Sequence, residues 1–382
     1  MQKIGVIGWS QTEFSERRED VSRNELIYEA TREALEHAGL EIGQIDSVVS
    51  ASCDTIDGIS ISNAFAADEM GAFMKEESKV EEDGAYALMY AYYRLLTGMW
   101  KTCLVVSHGK ISDSGSAFYA NMMCDPFLLR PLGLGDVSAA ALQCRVYTDR
   151  YGVTEDDVAG VVVKNRRFGA KNEKAQLRSE VSAEEVKKSP VLASPIRRLE
   201  APPVTDGAAA VVLAVEDFAN SNGKRSAWVE GVGFSQDLYY PGYKDLAVSE
   251  SAKAAAAMAY REAGIKNPLK DLDMAEISEN FAFYEMLLYE GLGFCGPGQG
   301  KKLLAEGVTG PDGDLPVNVS GGTLCANPMM SAGLVRIIEC CKQLTGEAGS
   351  HQLDRSLRRA LAQASSGLFL QSNIVFVLGG EQ

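Results

Sequence analysis

Along the chain, short runs of consecutive apolar residues alternate with longer segments whose apolar positions recur every three or four residues. Residues 3–11 predict a strand followed by a turn, and residues 45–51 predict a buried strand. The amphipathic segment between them predicts a helix over 23–37, which Gly39 ends from the usual position after the last turn. This alternation predicts an α/β fold with mainly buried sheets.

The pattern changes most abruptly at Glu81-Glu82-Asp83-Gly84, where a charged run gives way to a long apolar helix that continues to Thr97-Gly98. Three acids at a helix start complement the positive end of the helix dipole and cap its free N–H groups. The same acids would provide a general base if burial raised the pKa of one carboxyl group. Both interpretations stay open from the sequence.

Part of this pattern returns about 225 residues later. The repeated segments are Gly8-Trp9-Ser10-Gln11 and Gly233-Phe234-Ser235-Gln236, Ala38-Gly39-Leu40 and Ala263-Gly264-Ile265, Ile45-Asp46 and Leu272-Asp273, and Leu96-Thr97-Gly98 and Leu344-Thr345-Gly346. Several echoes in the same order predict two similar βα halves, 1–225 and 226–382, with 220–225 as a polar joint. A pseudo-two-fold axis would make the helix start at Gly84 equivalent to one near 331–333, so that both face one cleft.

The first half is the longer one, and its surplus lies at about 110–200, where prolines and charges are frequent. One helix is predicted there, near 137–151, and the rest is predicted to be mostly loop laid over the core. Long insertions of this kind usually cover a site or form an interface.

Composition narrows the classes of partner. The 382 residues carry a formal net charge of −15, which argues against nucleic acid and anionic membranes. No apolar run reaches the roughly 18–20 residues of a membrane span, and the first residues lack the features of a secretion signal, so a cytoplasmic protein is expected. Eight scattered cysteines without a C-x-x-C pair, and only three histidines, predict no metal site.

Several motifs resemble those of the thiolase superfamily, in particular its sterol-carrier-protein type. The matching segments are Asp206-Gly207-Ala208-Ala209, Glu276-Ile277-Ser278-Glu279-Asn280-Phe281-Ala282, Tyr289-Glu290-Gly291-Leu292-Gly293, Gly346-Glu347-Ala348-Gly349-Ser350-His351, and residues 318–333, which are similar to the family's Gly-His-Pro loop. Jointly they cover essentially the whole chain. The resemblance implies a homodimer of five-layered α-β-α-β-α subunits with a loop domain, acting on acyl-coenzyme A thioesters without a covalently bound cofactor.

The residues at the catalytic positions depart from the family pattern. Anchoring on Gly84 puts Glu81 in the place of the nucleophilic cysteine, and no cysteine lies between residues 54 and 102. The remaining catalytic positions fall on other polar residues: Ser278, Asn327, and Ser365 or Ser366. The resemblance therefore implies a site that works without the Cys–His pair.

Each candidate site residue has a catalytic and a structural interpretation. Asn327 would donate a hydrogen bond to a thioester or enolate oxygen, or it forms a turn. Asp83 and Glu81 are candidate bases or helix caps, and Ser278 is a cleft contact or a strand-end serine. Cys325 is a displaced nucleophile or an inert buried thiol. The phenols that would act as acids or merely pack are Tyr86, Tyr239 and Tyr240.

The resemblance places the coenzyme A nucleotide on the basic stretch of the loop domain. The candidate phosphate ligands are Lys164, Arg166 and Arg167, with Lys171, Lys174 and Arg178 nearby. A solvated face or a subunit contact is the alternative. Gly321 and Gly322 would let the backbone approach the ligand closely.

Together these features predict a β-ketoacyl-CoA thiolase-like acyltransferase of lipid breakdown with a cysteine-free site. Retro-aldol cleavage of a β-hydroxyacyl-CoA is the first alternative, because it needs a base and an enolate pocket but no acyl-enzyme. A non-catalytic acyl-CoA-binding or scaffold subunit is the second. The resemblance to cysteine-free relatives also implies a small zinc-ribbon/OB-fold partner subunit.

Overall fold

The computed structural model describes residues 2–381, apart from the side chains of residues 116–118. The strands are β1 (Ile4–Gln11), β2 (Ser47–Ala51), β3 (Glu76–Val80), β4 (Thr102–Gly109), β5 (Val191–Ala193), β6 (Ile196–Arg197), β7 (Gly207–Val215), β8 (Ala227–Gln236), β9 (Met274–Ile277), β10 (Arg359–Ser366) and β11 (Ser372–Gly379).

Helices connect these strands, and short 3-10 turns lie between them. The α-helices are α1 (Arg23–Ala38), α2 (Asp54–Asp57), α3 (Ser62–Phe65), α4 (Gly84–Leu96), α5 (Ile111–Ser114), α6 (Ser116–Met122), α7 (Asp136–Tyr151), α8 (Glu155–Gly169), α9 (Ala183–Lys188), α10 (Glu216–Asn222), α11 (Glu250–Ala263), α12 (Pro268–Asp271), α13 (Ala282–Gly291), α14 (Gly300–Ala305) and α15 (Ala332–Thr345). Within the described residues, no helix has the length and apolar character of a membrane span.

Nine strands form one mixed sheet in the order β3-β2-β4-β7-β1-β8-β11-β10-β9. In the first half, β1 pairs antiparallel with β7 and β7 with β4, whereas β2 and β3 continue parallel to β4. In the second half, β8 pairs antiparallel with β11 and β11 with β10, whereas β9 continues parallel to β10. A parallel bridge between Ala275 and Val317 takes the position that β3 has in the first half. The strand order therefore shows two pseudo-symmetric halves, while the boundary at residue 225 stays a prediction.

Five layers arise because the two halves enclose a pair of helices. Helix α4 packs on β2, β4 and β7, helix α15 packs on β9 and β10, and the two helices pack on each other. Helix α1 covers β1, β4 and β7, and helix α11 covers β8 and β11. Neighbouring residues of β4 divide between the two faces, since Val105 joins the core around α4 whereas Leu104 joins the core under α1. The result is the α-β-α-β-α arrangement that the resemblance implied.

The glycine that begins each repeated segment has the same packing role in both halves. Any Cβ at Gly8 would lie only 2.7 Å from the Ala34 carbonyl oxygen of α1. At Gly233 a Cβ would overlap the Ala255 carbonyl oxygen of α11. Each outer helix therefore approaches its strand at a position where only glycine fits, which explains why the segment recurs.

Helix predictions in the two halves are confirmed, but the prediction of a mostly irregular loop domain is wrong. The helix predicted over 23–37 is α1, and the helix predicted near 137–151 is α7. The loop domain also contains α8. Thr154 forms a capping box at the start of this helix, and its residues Val158, Val161 and Val162 are buried. Charged residues flank these valines in the sequence, so the helical spacing of the apolar positions was not recognised. The predicted polar joint is partly helical as well, because α10 continues to Asn222.

We expect Gly233→Ala to lower the free energy of unfolding by about 1–3 kcal/mol, because a backbone carbonyl cannot move aside as a side chain can. Urea unfolding followed by circular dichroism measures the change. Gly242→Ala is the matched control, since a Cβ there meets no atom within 4 Å. Equal stability of the two variants would contradict the packing role of Gly233.

Candidate active site

A cleft opens where the starts of the two central helices meet. The carboxylate of Asp83 accepts a hydrogen bond from the Ala85 N–H of α4 at 2.8 Å and another from the Gly333 N–H of α15, also at 2.8 Å. One side chain therefore caps both helices and lies at the positive end of both dipoles. Asp83 is 6% exposed and lines the cleft.

Burial raises the pKa of Asp83 from its usual value of 3.8 to about 7. The two backbone hydrogen bonds oppose this shift, and the negative charge of Glu82 adds to it. Near neutral pH the carboxyl group is thus present in both protonation states. A group in this condition can accept a proton and return it, which is what general acid–base catalysis requires.

Hydroxyl and amide groups surround this carboxylate in the cleft. Among the described residues, neither Ser278 Oγ nor Ser365 Oγ has a hydrogen-bond partner, although both atoms are buried and both residues line the cleft. The Asn327 backbone N–H donates to Thr205 Oγ1 at 3.0 Å, and Asn327 is one of the residues that line the same cleft. Buried polar atoms normally have partners, so these groups are suited to a ligand.

The structure adds cleft residues that the sequence analysis did not single out. Asn280 adopts a left-handed backbone conformation with φ of 43°, and its N–H donates to Thr323 Oγ1 at 2.8 Å. Asp136 lines the cleft at the start of α7, and burial raises its pKa. Its position just before a predicted helix was a visible signal for Asp136, but nothing in the sequence indicated that it lines the same cleft as Asp83.

Glu279 braces the loop that carries Asn327. Its buried carboxylate accepts hydrogen bonds from the backbone N–H groups of Thr323 at 3.1 Å and Leu324 at 3.0 Å. A Cβ at Gly322 would overlap this carboxylate, and one at Gly321 would lie 2.7 Å from Gly169 Cα. The two glycines, which we had predicted to approach a ligand, therefore approach protein atoms.

Cys325 lies on this loop but outside the cleft. Its side chain is fully buried, and its Sγ lies 3.4 Å from the carbonyl oxygen of Asn165. Burial raises the pKa of the thiol to about 12. This environment favours the inert interpretation, because the thiolate is the nucleophilic form.

Glu81 also lies away from the cleft, although it is close to Asp83 in sequence. Its carboxylate accepts a hydrogen bond from the Asp54 N–H at 2.8 Å and pairs with Lys79 at 2.7 Å. The side chain is 51% exposed. Glu82 is more enclosed, and burial raises its pKa.

Two of the three candidate phosphate ligands are engaged inside the protein. Lys164 Nζ donates to the Val317 carbonyl oxygen at 2.7 Å and pairs with the buried Glu285 at 2.8 Å. Arg166 donates to the carbonyl and hydroxyl oxygens of Ser179. Arg167 is exposed and lines a second cavity between α8 and α14. Of the three, only Arg167 keeps a position suited to an external anion.

The candidate phenols are placed outside the cleft lining. Tyr86 shares a hydrogen bond with Ser372 at 2.7 Å in the core. Tyr239 accepts from the Asp125 N–H and donates to the Met123 carbonyl oxygen at 2.8 Å. Tyr240 packs edge-to-face on it with ring centroids 5.0 Å apart. Within the described part of the chain, no cysteine or histidine lines the cleft, and no His/Cys/Asp/Glu group could hold a metal ion.

Comparison with known proteins agrees with the fold. A family model described as "Thiolase C-terminal domain-like" matches residues 236–380. The acetyl-CoA acetyltransferase of Methanothermobacter thermautotrophicus is 30% identical over 364 residues, which are 93% of this chain and 94% of that protein. The 17-hydroxy-3-oxo-4-pregnene-20-carboxyl-CoA lyase of Mycobacterium tuberculosis is 26% identical over 365 residues, 90% and 92% of the two chains.

Among solved structures, the Ltp2-ChsH2(DUF35) aldolase matches with a TM-score of 0.85 at 24% identity, covering 100% of this chain and 98% of that one. The match supports the fold assignment. The protein is thus an α/β protein of thiolase fold, and its extended similarity to an acetyl-CoA acetyltransferase shows that it belongs to the thiolase superfamily.

The raised pKa of Asp83 predicts a pH-dependent term in stability. Between about pH 4 and pH 7 the folded protein keeps a proton that the unfolded chain has released, so this term falls as pH rises, by about 1.4 kcal/mol per pH unit at most. Asp83→Asn cannot titrate and lacks the term. We expect the difference in free energy of unfolding, wild type minus variant, to decrease from pH 4 to pH 7. If urea unfolding gives the same difference between the two proteins at every pH, the raised pKa of Asp83 is contradicted.

Proposed function

We propose that this protein cleaves, and in reverse forms, a carbon–carbon bond of an acyl-coenzyme A thioester by aldol chemistry in a cysteine-free site. The observation that carries the proposal is the buried carboxylate of Asp83, with a pKa of about 7, in a cleft with no cysteine among its described lining residues. A carboxylate is a poor acyl acceptor but an effective base.

The retro-aldol steps match the groups in the cleft. The Asp83 carboxylate takes the proton of the β-hydroxyl group, the oxygen forms a carbonyl, and the bond between Cα and Cβ breaks. Its electron pair passes into the thioester as an enolate, whose oxygen accepts a hydrogen bond from the Asn327 side chain. Asp83 then returns its proton to Cα. The products are an aldehyde or ketone and a shortened acyl-CoA, and atoms and charge balance without an acyl-enzyme.

The lyase from Mycobacterium tuberculosis supports this reaction class, because its similarity extends over 92% of its own length. A second candidate is thiolytic acyl transfer, with coenzyme A attacking a β-ketoacyl-CoA directly. The similarity to an acetyl-CoA acetyltransferase favours it. A purely scaffolding subunit is less well supported, since it would not need hydroxyl groups such as those of Ser278 and Ser365, which have no partner among the described residues and line the cleft.

The two reactions are distinguished by their co-substrate and products. The purified protein, alone and with the products of neighbouring genes, is given β-hydroxyacyl-CoA, or β-ketoacyl-CoA with free coenzyme A. We expect aldehyde or ketone release that does not depend on free coenzyme A. Cleavage only with free coenzyme A would instead support acyl transfer, and absence of turnover in every combination would support the scaffold.

We expect Asn327→Ala to lower kcat by about 10²–10³-fold, the usual cost of losing one hydrogen bond to a developing oxyanion. The fold should be unchanged, because the backbone N–H that binds Thr205 remains in the variant. The measurement is steady-state kinetics together with thermal unfolding. The exposed Asn220→Ala serves as a control with normal turnover. Near-normal kcat in Asn327→Ala would contradict the oxyanion role.

We also propose a homodimer formed along the free edge of β3. This edge strand carries no partner on its outer side within the described sheet, and the segments before it expose Phe65 (57%), Phe73 (77%) and Met74 (89%). Unpaired strand edges and large apolar side chains are commonly covered by association.

Light scattering after size-exclusion chromatography tests the dimer. We expect a mass of about two chains for the wild type and of one chain for Met74→Glu. In a dimer of the variant, the new carboxylate would be buried in the interface without an opposite charge. Val191→Glu is the matched control, because Val191 is also exposed (54%) but lies in β5 and not at the edge of β3. This variant should remain a dimer. A monomeric wild type would contradict the proposal.

A further inference from the structure

Two buried carboxylates lie close in sequence to residues that line the cleft. Glu279 stands between Ser278 and Asn280, which both line it, and Glu285 follows on α13. The side chains of both glutamates are fully buried. A buried carboxylate is costly unless hydrogen bonds or an opposite charge compensate it. The partners of each carboxylate therefore indicate its role.

Glu285 is compensated by a cation and a phenol. Lys164 Nζ lies 2.8 Å from Glu285 Oε1, and the hydroxyl group of Tyr289 donates to the same oxygen. The predicted phosphate ligand Lys164 thus neutralises a carboxylate inside the protein. Glu279 makes no ion pair among the described residues, so hydrogen bonds must stabilise its charge.

Four N–H donors converge on the Glu279 carboxylate, two on each oxygen. Oε1 accepts from the Leu324 N–H at 3.0 Å and from Asn165 Nδ2 at 3.1 Å. Oε2 accepts from the Thr323 N–H at 3.1 Å and from Asn318 Nδ2 at 3.1 Å. Together these bonds use all the acceptor positions of an ionised carboxylate, and protonation would replace one acceptor position with an O–H donor. The arrangement therefore selects the ionised form.

Two effects oppose each other at this carboxylate. Burial and the negative charge of Glu285 raise the pKa of Glu279, whereas the hydrogen bond from the Leu324 N–H lowers it. The amides of Asn165 and Asn318 reduce the repulsion, because they also donate to Glu285 Oε2, at 2.7 Å and 2.9 Å. An anion kept charged by its donors in turn holds those donors in place.

The Asn327 loop, residues 318–327, supplies three of the four donors. Its middle forms a turn, closed by a hydrogen bond from the Cys325 N–H to the Gly322 carbonyl oxygen at 3.3 Å. The first N–H groups of such a turn have no partner within it, and these are the two that Glu279 binds. Asn327 comes two residues after Cys325, so the carboxylate fixes the backbone that leads to Asn327.

We propose that Glu279 is a positioning residue, whose ionised carboxylate holds the Asn327 loop where the Asn327 side chain can donate to the thioester oxygen of the substrate. This inference rests on the proposed function, because it assigns that hydrogen bond to Asn327. Glu279 is not among the described lining residues of the cleft, so it acts through the loop and not on the substrate.

Glu279→Gln tests the position of the loop without any substrate. A carboxamide has one acceptor oxygen, so its NH₂ group must face two of the four donors whichever way it is turned. Hydrogen–deuterium exchange of the full chain, followed by mass spectrometry, measures the effect. We expect residues 322–327 to exchange at least tenfold faster than in the wild type, whereas the exposed Glu16→Gln should leave their exchange unchanged. Wild-type exchange in Glu279→Gln would overturn the proposal.

A double-mutant cycle separates positioning from a general loss of stability. We expect Glu279→Gln to lower kcat at least tenfold with little change in KM, since a small misplacement of a catalytic group slows the reaction. In the Asn327→Ala background it should cost less than twofold, because the group that it positions is gone. Losses that multiply would overturn the proposal. A wild type without turnover would refute the proposed function, and the exchange experiment alone would then decide the position of the loop.

Gly322→Ala alters the same contact from the side of the loop and replaces Glu279→Gln if that variant does not fold. A Cβ at Gly322 would overlap the Glu279 carboxylate, so the loop must move away from it. We expect a similar loss of kcat and again less than a twofold further loss in the Asn327→Ala background. Gly242→Ala is the control with normal kcat, since its Cβ meets no atom within 4 Å. Normal kcat in Gly322→Ala would contradict the positioning role.

Discussion

The carboxylate of Asp83 joins the starts of the two central helices, and the arrangement of the core depends on this contact. Hydrogen bonds to Ala85 and Gly333 fix the position of α4 relative to α15. Gly333 must be a glycine, because a Cβ there would overlap the Asp83 carboxylate. The same contacts therefore form the site and fix the packing of the middle layer, so a change in one alters the other.

This contact also sets the chemistry that the cleft can perform. Burial of the carboxylate between the two halves removes water from it and raises its pKa to about 7, whereas the hydrogen bonds from the two helix ends favour the charged form. A fixed carboxylate with this pKa is suited to accepting and returning a proton, and it lies in a cleft with an amide and two hydroxyl groups that have no partner among the described residues. Glu279 belongs to the same arrangement, since its carboxylate binds the loop that carries Asn327.

Much of the framework could be predicted from local pattern. The outer helix α1 and the central helix α4 have apolar stripes, caps and glycine stops that depend only on nearby residues. Helix α8 was missed because its buried valines alternate with charges that face solvent. For the site, the resemblance to thiolase motifs pointed to Ser278 and Asn327, and the acidic helix start pointed to Asp83. All three line one cleft. The sequence also put Glu81, Lys164 and Cys325 among the candidates, and the structure places these three residues in other environments.

By itself, the sequence determined the duplicated α/β pattern, the glycines at close approaches and the residues that start the central helices, because these follow from periodicity and backbone preference. Only the tertiary structure decided which of three adjacent acids is buried, which thiol is sealed in the core and which polar atoms lack partners. Burial and desolvation depend on side chains that are distant in sequence: Asp83 meets Gly333 across 250 residues. The charged run before Gly84 is thus a cap and a candidate catalytic group at once, and the fold gives both roles to Asp83, whereas Glu81 binds Asp54 and Lys79 outside the cleft.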